Sequence, residues 1–74
     1  MDKKYSDVLR ALRKKHGFLQ QDIAARLDEL GAPTTKAQVS RWETGLNNPS
    51  IDQFIGLCRV YGVKDVYGVF GMGD

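Results

Sequence analysis

The chain has 74 residues, 42% of them hydrophobic and 27% charged, with a formal net charge of +2. That length supports one small unit with a small core and excludes two packed domains. The single cysteine, Cys58, excludes an internal disulfide, and the single histidine, His16, leaves no Cys/His set for a structural zinc. No stretch approaches the ~18 apolar residues of a membrane span, and the segment from Met1 to Leu19 is too charged for a signal peptide. The expectation is a cytoplasmic protein without membrane contact, metal or cofactor.

The small net charge hides an asymmetry. Residues 1–37 carry eight Lys/Arg against five Asp/Glu, and residues 38–74 carry three against four. Lys3, Lys4, Arg10, Arg13, Lys14 and Lys15 all lie near the N-terminus, which suits an anionic partner and equally suits a solvated helix face.

Tyr5, Leu9 and Leu12 recur at helical spacing with Val8 beside them, and Gly17 follows a cationic stretch, so a first helix is expected over 3–16. His16 at its end is a favourable partner for the helix dipole. Ile23, Ala24, Leu27 and Leu30 repeat the spacing over 20–30, and Gly31 and Pro33 stop it. Thr35-Lys36-Ala37-Gln38 reads as a capping box that opens a third helix ending near Gly45, with Val39 and Trp42 turned inward. Ser50-Ile51-Asp52-Gln53 is a second such box. It opens a fourth helix whose expected inner face is Ile51, Phe54, Ile55, Cys58 and Tyr61, ending at Gly62. Val63 to Phe70 suits a strand almost as well as a helix, and a short fifth helix is expected. The domain is expected over 1–70, with 71–74 as a tail or the start of a linker.

Two short helices joined by a turn, the second with polar residues at its start, match a helix-turn-helix. Added to this are Arg13 ahead of Gly17, the string Gln20-x-x-Ile23-Ala24, the signature Ser40-Arg41-Trp42-Glu43-x-Gly45, and Asn48-Pro49-Ser50. Together these resemble the Cro and phage-repressor (XRE-like) helix-turn-helix family over roughly residues 5–70. Leu19 stands where the family usually has Ser or Thr, and the sixteen residues from Ile23 to Val39 exceed the family's common interval. A longer second helix and a wider turn are therefore expected.

The resemblance implies an all-α, compact five-helix, lambda-repressor-like fold with the motif in helices two and three. It also implies roles. Gln20 matches a glutamine that contacts a phosphate at a helix N-terminus. Thr35, Lys36 and Ala37 match the groove-facing start of the recognition helix, with Ser40 and Arg41 one turn later. Asn47 and Asn48 match a loop that bonds the duplex backbone, and Arg13 and Glu43 match a pair tying helix one to helix three.

The chemistry of these side chains supports the roles unevenly. Arg41 presents a planar fork suited to guanine O6 and N7, and Lys36 a point charge. Ala37 can meet only a thymine methyl or leave room. Gln38 can read adenine or close its capping box, and Thr35 and Asn48 suit phosphates, which set register. Trp42 and Cys58 are read as core residues, and Lys14 and Lys15 as either phosphate contacts or solubilising charges.

The expected function is sequence-specific binding of double-stranded DNA at a palindromic operator, as a transcriptional repressor. A homodimer is expected, with Val66, Tyr67, Val69 and Phe70 as a candidate contact or simply a lid on the core. The alternative is a protein-interaction module, antitoxin-like or regulator-binding, with DNA secondary. An enzyme is disfavoured because His16 and Cys58 sit apart on different helices and no acids are paired.

Overall fold

A computed structural model describes residues 3–71, with side chains from Tyr5. The side chains of Lys3 and Lys4 and tail residues 72–74 lie outside the described residues. The described residues form five helices and no strand: α1 (Lys3–Lys15), α2 (Gln20–Glu29), α3 (Lys36–Thr44), α4 (Ile51–Tyr61) and α5 (Val66–Phe70).

The helix boundaries follow local chemistry. Thr35 Oγ1 accepts from the Gln38 backbone N–H at 3.2 Å, while Gln38 Oε1 accepts from the Thr35 N–H at 3.2 Å. Ser50 and Gln53 repeat this exchange at the start of α4. Such caps satisfy N–H groups that a helix start leaves without partners. Leu19 cannot cap α2 with its own side chain. Asp22 compensates from inside the first turn, its carboxylate accepting the Leu19 N–H at 2.7 Å. α5 starts at Val66, later than the apolar run from Val63 suggests, because Asp65 caps it by accepting from the Gly68 N–H at 2.9 Å.

The core is one cluster. Ile23, Leu27 and Val39 are the largest side chains fully removed from solvent, with Leu9, Trp42, Leu57 and Tyr61 packed around them. Burying each large aliphatic side chain contributes about 1.5–3 kcal/mol before chain entropy is set against it. α3 is held by α1 and α2, α4 packs on α2, and α5 returns to α1. The last contact is aromatic. Tyr5, Phe54 and Phe70 form a triangle with ring centroids 5.4–6.0 Å apart, which joins the two ends of the chain through α4.

Two expectations about faces are corrected. The inner face of α4 is Phe54, Leu57 and Tyr61, whereas Ile51 and Ile55 are 78% and 52% exposed and Cys58 is only half-buried. The reason lies in α2: Gly56 abuts Leu27 so closely that a Cβ there would stand 2.6 Å from Leu27 Cδ2. That approach turns Ile51 and Ile55 outward. Phe70, left by the sequence between a contact for a second copy and a lid on the core, takes the second role and is buried in the core, so only Tyr67 and Val69 of that group are exposed, with Val66 half-buried. Leu30, beyond the end of α2, is exposed rather than packed.

The wider turn between α2 and α3 spans residues 30–35 and is pinned along its length. Ala32 is buried and its N–H donates to the Leu27 carbonyl at 2.9 Å. The Pro33 carbonyl accepts from Gln53 Nε2 of α4 at 3.1 Å, and Thr34 Oγ1 donates to Gln38 Oε1 at 2.6 Å. The extra length is thus built into the body of the protein.

Candidate nucleic-acid interface

α3 has two faces with opposite duties. Val39, Trp42 and Glu43 point inward and are buried. A buried carboxylate needs a counter-charge and donors. Arg13 supplies both, with Nε donating to Glu43 Oε2 at 2.8 Å and Nη2 to Oε1 at 2.9 Å. Its Nη1 donates to the Phe18 carbonyl at 3.1 Å, which ties in the loop after α1. Glu43, through its hydrogen bonds first and its charge second, raises the Arg13 pKa further above its ordinary value. The Arg13–Glu43 pair expected from the sequence is therefore present and bidentate.

Gln20 joins the same network. Its Nε2 donates to Glu43 Oε1 at 3.2 Å, a bond between α2 and α3 that the sequence reading did not foresee. An amide nitrogen carries two hydrogens. One holds the carboxamide against Glu43, and the other remains to be donated at the start of α2.

On the outer face, Lys36, Ala37 and Arg41 are exposed and Ser40 is half-buried. Neither Lys36 nor Arg41 forms an ion pair among the described residues. Thr44 is exposed beside Arg41, and its Oγ1 donates to the Arg41 carbonyl at 3.2 Å. It is a further member of this face that helical spacing from Ala37 and Arg41 would have revealed.

Gly45 ends α3 in the left-handed conformation (φ 82°) and turns the chain back. The N–H groups of Leu46 and Asn47 donate to the Arg41 carbonyl at 2.9 and 3.3 Å, so the following loop folds over the end of the helix. Asn47 and Asn48 are thereby brought beside Arg41. With Gln38, Trp42 and Gln53 they line a recess of about 210 Å³. Gln53 was expected only as a capping residue, and its amide is committed at both ends, accepting from the Ser50 N–H and donating to the Pro33 carbonyl. Gln38 likewise has its oxygen occupied, by the Thr35 N–H and the Thr34 hydroxyl, which leaves its NH₂ group for an external acceptor.

The sequence candidates therefore fall into four groups. Lys36, Ala37, Ser40 and Arg41 share the outer side of α3, and Gln38, Asn47 and Asn48 meet Arg41 at the recess. Thr35 caps the helix between them and the turn. Gln20 stands apart from the recess, at the start of α2, bonded to the inner face.

A family model described as Helix-turn-helix matches residues 9–67, which takes in α2, the turn, α3, α4 and most of α1. The chain belongs to the Cro/C1-type (XRE-like) helix-turn-helix family. No curated protein and no solved structure matches it. Members of this family are DNA-binding domains, generally of transcription regulators. Among the described residues of this helix-turn-helix domain, no helix is long and apolar enough to cross a membrane and no cluster of side chains is suited to a metal ion.

The geometry of the domain suits that family chemistry. Nine residues make α3 about 13 Å long, and B-DNA's major groove, about 12 Å wide, admits such a helix. Its inner face is anchored by a buried ion pair and Trp42, so its outer face is presented on a rigid support.

Proposed function

We propose that the domain binds double-stranded DNA sequence-specifically, with the outer face of α3 in the major groove, and acts as a cytoplasmic transcriptional repressor at a two-fold symmetric operator. The observation that carries this reading is the pair of exposed cations Lys36 and Arg41, without an ion pair among the described residues, on a helix whose opposite face is locked in the core. Arg41 is the principal base reader, donating in bidentate fashion to guanine, and Lys36 assists. Ala37 leaves space for a thymine methyl, and Ser40 lies at the margin of the contact.

Phosphates flank the reading helix. Asn47, Asn48 and the free NH₂ of Gln38 donate on one side of the groove. Gln20 donates its second amide hydrogen on the other, and Thr35 its hydroxyl at the helix start. These contacts set register without reading bases. One domain offers few base contacts, so two copies on half-sites with centres about 34 Å apart provide the discrimination.

The exposed Ile51 and Ile55, with a net charge of only +2, favour a second reading as a protein-interaction module. One experiment separates the two. Duplexes are selected from a random pool and their binding is titrated with salt. The DNA reading expects a palindrome and a log–log affinity slope that falls steeply with salt. A pool that never enriches, or affinity indifferent to salt, would sink it.

A further inference from the structure

The outer face of α4 is a feature that DNA contact leaves unused. Ile51, Ile55 and Arg59 recur every four residues along it, and Asp52 lies on the same side. Ile51 and Ile55 are the exposed apolar members, and neither Asp52 nor Arg59 has an ion-pair partner among the described residues. Beside the C-terminal half of this stripe, between α4 and the segment leading into α5, lies an open recess of about 500 Å³. Ile55, Cys58, Arg59, Val63 and Val66 are among its walls.

We propose that this face is where a second copy of the chain docks, with the two α4 helices antiparallel about a two-fold axis beside Ile55. Three features agree on that occupant. Ile55 sits at the midpoint of the stripe, where a two-fold packs it against its own counterpart. Asp52 lies three residues before Ile55 and Arg59 four after, so the antiparallel arrangement sets each Asp52 opposite the second copy's Arg59 and each Arg59 opposite the second copy's Asp52. The exposed Ile51 of each copy falls level with the second copy's Arg59, at the mouth of the recess, where an apolar knob is missing. A parallel arrangement would instead oppose Asp52 to Asp52 and Arg59 to Arg59. Self-complementarity of this kind is what an isologous contact requires.

The inference deepens the dimer in the proposed function and moves its contact from α5 to α4. One helix face per copy is a small contact beside the ~2,000 Å² and more of an obligate dimer. The pairing is accordingly weak in dilute solution and is completed on DNA.

Sedimentation equilibrium without DNA, from micromolar to millimolar protein, tests it. Wild type is expected to pass from monomer to dimer over that range. Ile55→Glu is expected to remain monomeric, and Asp52→Arg and Arg59→Asp each to weaken the dimer at least several-fold. The double variant Asp52→Arg/Arg59→Asp, which restores opposite charges across the axis, should recover it. Circular dichroism checks that each variant stays folded, and both charges and Ile55 are exposed, so folding is not at stake. A wild type monomeric at every concentration overturns the proposal. So does dissociation by Tyr67→Glu but not by Ile55→Glu, or a double charge swap no better than the single reversals. The assay contains no DNA, so failure of the DNA reading would appear separately, as loss of the selected palindrome with the dimer intact.

Discussion

On the inner side of α3, Glu43 is 4% exposed and is gripped by Arg13 and Gln20; on the outer side, Arg41 and Lys36 meet no acid among the described residues. Both sides carry charge on the same nine-residue helix, yet the energetics differ. A buried carboxylate that loses its partner keeps its desolvation cost, whereas an exposed guanidinium is solvated whether or not a ligand arrives. The inner charges therefore matter to the fold and the outer ones to the ligand.

That contrast is most easily broken at Glu43. Glu43→Ala leaves Arg13 without its carboxylate partner and should destabilise the domain by about 3–5 kcal/mol, read from urea unfolding. A shift under about 0.5 kcal/mol, the range of ordinary surface changes, would mean that the inner network does not hold α3.

Arg41→Ala should do the reverse. Its melting curve should match wild type, while discrimination between the selected duplex and one with the contacted guanine replaced falls by about 1–3 kcal/mol. A large loss of stability would place Arg41 on the wrong side of the comparison.

Alkaline titration probes the inner side without mutation. Burial, and secondarily Cys58, pushes the Tyr5 hydroxyl up to about 12, and burial followed by the Glu43 charge raises Tyr61 as well. In the unfolded chain both phenols ionise near pH 10. The unfolded state thus loses these protons first, and the stability contributed by the two phenols should be level below about pH 10 and fall as pH rises from there toward 12. Thermal melts together with phenolate absorbance check it; a melting temperature constant across that window contradicts the burial of these hydroxyls.

The smallest effect is expected at Ser6, whose buried Oγ has no hydrogen-bond partner among the described residues and lies 3.2 Å from where a Gly45 Cβ would stand. Ser6→Ala removes an unsatisfied polar atom and improves helix propensity, so it should stabilise by up to about 1 kcal/mol. Destabilisation in calorimetry would reveal a partner for that hydroxyl.

Much of this contrast was legible in the letters. Both T/S-x-x-Q boxes form, because capping depends on residues three apart in the chain. The Arg13–Glu43 pair followed from the family's pattern, and Trp42 as core from its helical position beside Val39. The orientation of α4 did not follow. Ile51-Ile55-Cys58 and Phe54-Leu57-Tyr61 are both apolar stripes at helical spacing, and periodicity cannot choose between them. The side without bulk at Gly56 decides it, since only there can Leu27 of α2 approach. Gln20 was legible as a donor at a helix start but not as a partner of Glu43, from which it is separated by 23 residues.

Taken alone, the sequence determined where helices begin and end, because caps, stops and apolar spacing act within a turn or two of chain. It also determined the family, through the string around Arg41 and Trp42. Only the tertiary structure decided which stripe of α4 faces water, that Phe70 closes the core, and that the long turn is pinned by Gln53 to α4. Those outcomes depend on close packing between segments far apart along the chain, where one missing Cβ or one amide reaching a distant carbonyl tips a balance that local pattern leaves even.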